Sequence, residues 1–285
     1  MEKLKDLKRL EQLSSLYTDL RDYCIEKKVS RPQASIQDIS LILLSNDINE
    51  ISKSVIALYK GNAFLGIPTL VRVAYEKYYY FQHVMKSTTN SKAFYYNLQL
   101  KNSLLLKKLT SPNKYSESVA KIQGYTVDEI NRNYVEQFGN FDEKIFVELE
   151  NEYRNCFKYE IKNLYTHKWY SSDKSINNLK DLANSLGLES EYAVQYERLS
   201  GEVHSYVMSQ NYAYYNVEDK LFLGIYQDGV TTQNNDHLVF MYVKVYKVIL
   251  DLYKHYKAPK IFYNRLLKIV SETTTLNDLY NIYNK

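Results

Sequence analysis

Apolar residues in this chain return every three or four positions over most of its length, and that period restricts its fold more than any other feature. A helix turns about 100° per residue, so such spacing gathers one apolar stripe, whereas a half-buried strand needs strict alternation. Only 8 Gly and 4 Pro punctuate the 285 residues, and alternating runs are scarce. The chain is therefore expected to be all-α, an elongated helical bundle. With 45% apolar residues it can bury a sizeable core.

The pattern divides into elements. A first amphipathic helix is expected from residue 2 to about 29, through Leu4, Leu7, Leu10, Leu13, Leu16, Leu20 and Tyr23, stopping at Ser30, Arg31 and Pro32. A second runs from Ser35 to Lys60, with a bend at Gly61 and Asn62. The segment AFLGIPTLVRVAYEKYYYFQHVM is the most apolar and is expected at the centre, with Pro68 either kinking the helix or marking its beginning. A helix over 91–109 is followed by a loop and restart through SPNKYSES and GYTVDEI. Further helices are expected over Asp142–Leu164, from a Ser172 or Asp173 cap to Gly187, over Glu189 to about Asn216, from Asp236 to Tyr256, and after Pro259. This organisation gives an N-terminal helix (1–34), a helical core (35–216) and C-terminal helices packed on it (217–285), in one domain.

Charge narrows function only slightly. The balance of 37 basic and 33 acidic residues, net +4, allows nucleic acid without indicating it. The start MEKLKDLKRLEQL is charged from its second residue, and no apolar run reaches membrane-spanning length, so a cytoplasmic protein without membrane contact is expected. Cys24 and Cys156 stand alone, which favours two buried thiols over a disulfide or zinc site; no metal and no cofactor is expected. Tyr occurs 30 times, and clusters such as Tyr78, Tyr79 and Tyr80 read first as core and boundary residues, second as surfaces on which bases stack.

The segment ESEYAVQYERLSGEVHSYVMSQNYAYY carries the chemistry. Tyr192, Tyr196, Ser200, His204 and Met208 follow one another at i, i+4, which on a straight helix puts aromatic and titratable groups on one face. In RNA cleavage a His such as His204 takes the proton of a 2′-hydroxyl or protonates the leaving oxygen, and an Arg such as Arg198 grips the phosphate. The plainer readings are a core histidine for His204 and a surface pair with Glu202 for Arg198, which lies about 120° away from His204 around the helix. Ser200 lacks a glycine-rich elbow, so its expected part is to orient the imidazole rather than to attack. Arg72 and Glu76, one turn apart in the greasiest helix, form either a buried ion pair or a second wall of the same pocket. His167 lies beside Trp169, the only Trp, where an aromatic and a His can close a pocket.

The residues Gly61 to Glu76, Trp169, and the spacing Tyr192, Tyr196, Leu199, Ser200 and His204 resemble a family of prokaryotic helical proteins of unknown function with a Y-x-x-x-Y-x-x-L-S-x-x-x-H signature. The resemblance spans about Ser35 to Tyr215. That family is in turn similar to the HEPN class (higher eukaryote and prokaryote nucleotide-binding), whose active members carry an Arg followed four to six residues later by a His; here only Arg198 and His204 correspond. The resemblance implies a HEPN-like bundle with added helices that forms a homodimer. It also implies a metal-independent endoribonuclease of antiviral defence (abortive infection) or of a toxin system, with RNA as substrate and an antitoxin or defence protein as partner. Arg198 and His204 would be catalytic, with Tyr192, Tyr196, Ser200, Arg72, Glu76 and Trp169 holding substrate. Leu199 departs from the active pattern, in which a polar residue usually follows the Arg. The competing expectation is a non-catalytic helical module that binds a nucleotide, a phage component or a partner protein through the same stripe.

Overall fold

A computed structural model describes residues 2–29, 34–110, 114–164, 166–171, 174–203, 212–217, 220–225 and 232–271. The chain forms two compact units, one of residues 1–82 and 179–285, the other of residues 83–178. Both are helical. Among the described residues no helix is long and apolar enough to cross a membrane.

In the first unit, α1 (Glu2–Cys24) runs into a π-helical turn at Ile25–Val29 and packs on α2 (Ile36–Lys60), α11 (Thr232–Tyr256) and α12 (Lys260–Ser271). The leucine stripe of α1 explains the packing, because Leu10, Leu13, Leu16 and Leu20 are all fully buried. Leu41, Leu44 and Ile48 of α2 and Leu238, Met241, Val245 and Leu252 of α11 complete that core. Register between α1 and α2 is set by buried hydrogen bonds: Ser14 donates to Asn49 at 2.9 Å, and the Tyr17 and Ser45 hydroxyls meet at 2.9 Å. The start of α2 is fixed by a capping box in which the Asp38 N–H donates to Ser35 Oγ at 3.0 Å. Helix α3 (Ile67–Lys86) starts immediately before Pro68, so the proline marks a beginning and not a kink.

The second unit takes the end of α3, then α4 (Thr88–Thr110), α5 (Lys114–Gln123), α6 (Val127–Phe138) and α7 (Glu143–Arg154). Of the loop expected through SPNKYSES, Lys114–Ser118 belong to α5, and the restart falls at α6, where Thr126 and Glu129 form a capping box. The helix expected over 142–164 ends at Arg154. Its last turn is held by irregular chain: Arg154 Nη1 donates to the Ile161 carbonyl at 2.8 Å, and Tyr153 and Tyr159 each place a hydroxyl 2.9 Å from a ring nitrogen of His167. Tertiary bonds here override a sequence with no glycine or proline to stop it.

Back in the first unit come α8 (Leu179–Ser185), α9 (Glu189–Glu191), a π-helical turn at Tyr192–Tyr196 and α10 (Glu197–Val203). Gly187, at φ 73°, ends α8 in the left-handed region, as expected of a glycine there. The expected Ser172 or Asp173 cap lies outside the described residues. The single helix expected from Glu189 to Asn216 is not found. The π turn interrupts it, and Tyr212–Val217 is a strand, β1, paired antiparallel with β2 (Lys220–Ile225), Tyr214 opposite Leu223. Tyr, Val, Phe, Leu and Ile, four or more to each six-residue run with two residues between runs, are the composition of a hairpin.

Candidate functional site

The first unit brings four of the expected substrate-holding residues together. Arg72 and Glu76 lie one turn apart on α3, and Tyr196 reaches them from the π turn. The Tyr196 hydroxyl accepts from Arg72 Nε at 3.1 Å and donates to Glu76 Oε1 at 2.5 Å, while Arg72 Nε lies 3.5 Å from the same carboxylate oxygen. With side-chain exposures of 23% and 28%, this is a solvent-reachable pair and not the sealed one that would merely fix helix register. Tyr192 stacks on Tyr196, ring centroids 4.9 Å apart and planes 24° from parallel, and Tyr79 backs both rings at 6.4 Å. The Arg72 guanidinium carbon sits 5.3 Å from the Tyr196 ring centre.

The π turn produces this arrangement. Tyr192 and Tyr196 are its first and last residues, and the Glu197 N–H bonds back to the Tyr192 carbonyl, five residues earlier. The wider turn inserts one residue into the helical ladder, a device common at functional sites. The π turn therefore falls within the first pair, Tyr192 and Tyr196, of the expected i, i+4 stripe.

Charge states follow from surroundings. Burial, and after it the Glu76 carboxylate, push the Tyr196 phenol well above its ordinary value, so the hydroxyl keeps the proton it donates. The hydrogen bond to Tyr196 is the main reason Arg72 is raised further still. The result is a fixed cation beside a stacked aromatic pair, with a carboxylate holding both. Such a surface fits a phosphate next to a planar ring.

Arg198 turns elsewhere. Its Nη1 and Nη2 each lie 3.4 Å from Asp236 Oδ2 on α11, both side chains being partly exposed. Leu199, between Arg198 and the half-buried Ser200, is fully buried. His204 and the side chain of Glu202 lie outside the described residues. Trp169 belongs to the second unit, its ring 5.0 Å from Phe94 and 5.7 Å from His83. His167, nearby in that unit, is held by Tyr153 and Tyr159 and faces the Phe157 ring at 4.6 Å. Tyr78 and Tyr79 are buried, as core residues.

Sequence reasoning passed over Glu191 and Lys244, and the pairing of Asp236 with Arg198. Lys244 is fully buried in α11, its Nζ 4.4 and 4.3 Å from the ring centres of Tyr75 and Tyr78 and ion-paired with Glu191, whose side chain is 4% exposed. The two lysines, Lys244 and Lys247, that interrupt the apolar run VFMYVKVYKVIL were the available signal, because lysine is rarely fully buried without a partner. Among the described residues, no three His, Cys, Asp or Glu side chains gather in a way that would hold a metal ion.

No curated protein and no solved structure matches the chain. Residues 38–220, which run from α2 through the paired Arg72 and Glu76 to the stacked tyrosines and Arg198, match the Family of unknown function (DUF5677), and the chain belongs to that family.

Proposed function

We propose that the chain is a HEPN-like, metal-independent endoribonuclease of a bacterial defence or toxin system, working as a homodimer, with Arg72, Glu76, Tyr192 and Tyr196 forming the wall that holds RNA. The observation that carries the RNA reading is the partly exposed Arg72–Tyr196–Glu76 bridge beside two stacked rings, which offers one cation for phosphate and aromatic surface for a base. In the chemistry proposed, His204 takes the 2′-hydroxyl proton, the 2′-oxygen bonds to phosphorus, the bond from phosphorus to the 5′-oxygen breaks, and that oxygen is reprotonated. Arg198 steadies the phosphate's negative charge. A two-fold mate would bring a second Arg198 and His204 to one cleft.

The decisive experiment incubates the protein with total RNA in EDTA, alongside His204→Ala, Arg198→Ala and Arg72→Ala. Cleavage by the native protein that disappears in His204→Ala supports the enzyme, with Arg72→Ala weakening RNA capture. An inert native protein overturns it. One observation favours a second reading, a non-catalytic helical module that binds a nucleotide, a phage component or a partner protein: Arg198 is already engaged by Asp236. In that case Arg72→Ala weakens binding, and His204→Ala abolishes no turnover.

A further inference from the structure

We propose that Lys244 and Glu191 form a buried ionic pivot that positions the Tyr192–Tyr196 pair, so that the charge on Lys244 governs capture at the candidate site; the capture clause rests on the function proposed above. The pivot and the site share their elements. Helix α3 supplies Tyr75 and Tyr78 to the cage around Lys244, and Arg72, Glu76 and Tyr79 to the site. Glu191 is the residue immediately before Tyr192, where the π turn opens. Anchoring its carboxylate anchors the start of that turn.

A lysine stem ordinarily carries its ammonium out to water. Lys244 does not, since its side chain is 0% exposed and Glu191 is its ionic partner. Lys247, one turn along α11 and 24% exposed, lies 3.7 Å from the other Glu191 oxygen and 5.8 Å from the Tyr78 ring centre. From α3, Tyr75 and Tyr78 contribute rings, and Gln82 donates to Asp251 at 2.6 Å beyond them. Burial, and after it Asp251 and Glu191, hold the Tyr78 phenol well above its ordinary value, so it stays neutral. Burial pulls Lys244 down from 10.5 to about 8, with Glu191 opposing and Lys247 assisting. Once the ammonium becomes an amine it loses both the ionic bond and its attraction to the rings. Glu191 is then left with Lys247, which lies towards solvent, and the carboxylate that moves there carries Tyr192 with it.

The test places 4-fluorophenylalanine at Tyr192, a ring that does not itself titrate, and follows its fluorine resonance across pH 8 beside the affinity for a labelled single-stranded RNA. The expected result is a step in the resonance near pH 8, absent in Lys244→Met/Glu191→Gln, and, where RNA is bound, a loss of affinity with the same midpoint. Lys247→Met keeps the pivot and removes a cation that lowers Lys244, so its midpoint moves to higher pH. No step in the otherwise native protein, an unchanged step in the double variant, or an unmoved midpoint in Lys247→Met overturns the pivot. A step without RNA binding at any pH leaves the pivot standing and removes the RNA reading alone.

Discussion

At Tyr196 one hydroxyl serves two charged neighbours, accepting from Arg72 and donating to Glu76. Tyr196→Phe keeps the ring against Tyr192 and deletes only that bridge. Because Arg72 and Glu76 are partly exposed, water resolvates them, and the expected loss is about 1 kcal/mol of stability in urea unfolding, with weaker RNA capture. His167 is a second residue whose state the contacts decide. Tyr159 gives its proton to the Ser171 carbonyl, so its oxygen accepts from His167 Nε2, and Nδ1 must accept from Tyr153. Burial lowers this imidazole below 6.5. Nitrogen NMR is expected to find the Nε2–H tautomer, titrating below 6.5; a proton on Nδ1 in the neutral ring contradicts it. At this scale the sequence showed which side chains could meet along one helix, as Arg72 with Glu76 and Tyr192 with Tyr196. It did not show the partners that arrive from other helices, so Lys244, which Tyr75, Tyr78 and Glu191 enclose, carried no reading.

Elements whose limits are set locally were legible. Ser35 caps α2 through Asp38, Gly187 closes α8, and Leu10, Leu13, Leu16 and Leu20 of α1 fall on one buried stripe. Elements limited by distant contacts were not. Nothing near Arg154 says that α7 must stop, because the stopping bonds come from Ile161 and from His167 through Tyr153. The π turn is hidden for a related reason. Its extra residue leaves no composition signal, yet it sets how Tyr192 lies on Tyr196 and turns both towards α3. Ala193, exposed within that turn, gives a direct test. Deleting it is expected to restore an ordinary α-helical ladder and to bring Tyr192 and Tyr196 from four residues apart to three, which changes how the two rings overlap. A changed near-ultraviolet tyrosine signal with retained far-ultraviolet helicity is the expected outcome, and an unchanged tyrosine signal contradicts the role given to the turn.

Across the whole molecule the buried titratable groups act on one quantity, the dependence of stability on pH, and their signs differ. His167 is lowered in the folded chain, so its contribution is complete above 6.5 and is lost as pH falls through its folded value. Lys244 is lowered from 10.5 to about 8, so the fold bears the cost of a buried ammonium below about 8 and is relieved of it as pH rises towards 10.5. At about 1.4 kcal/mol per pH unit, that relief is on the order of 3 kcal/mol. Burial raises Tyr17, Tyr59, Tyr153, Tyr196, Tyr242 and Tyr256, whose stabilising contribution is complete below 10.0 and is lost above it. Stability is therefore expected to fall in acid, to rise between about pH 8 and 10, and to fall again once the unfolded tyrosines ionise. Thermal unfolding across this range checks the curve. Lys244→Met/Glu191→Gln should erase the rise while keeping both flanks, and His167→Phe should soften the acid flank alone. A native profile that declines steadily from pH 8 upward would show that Lys244 is not carrying a buried charge at neutral pH, and the pivot proposed for Tyr192 would fall with it.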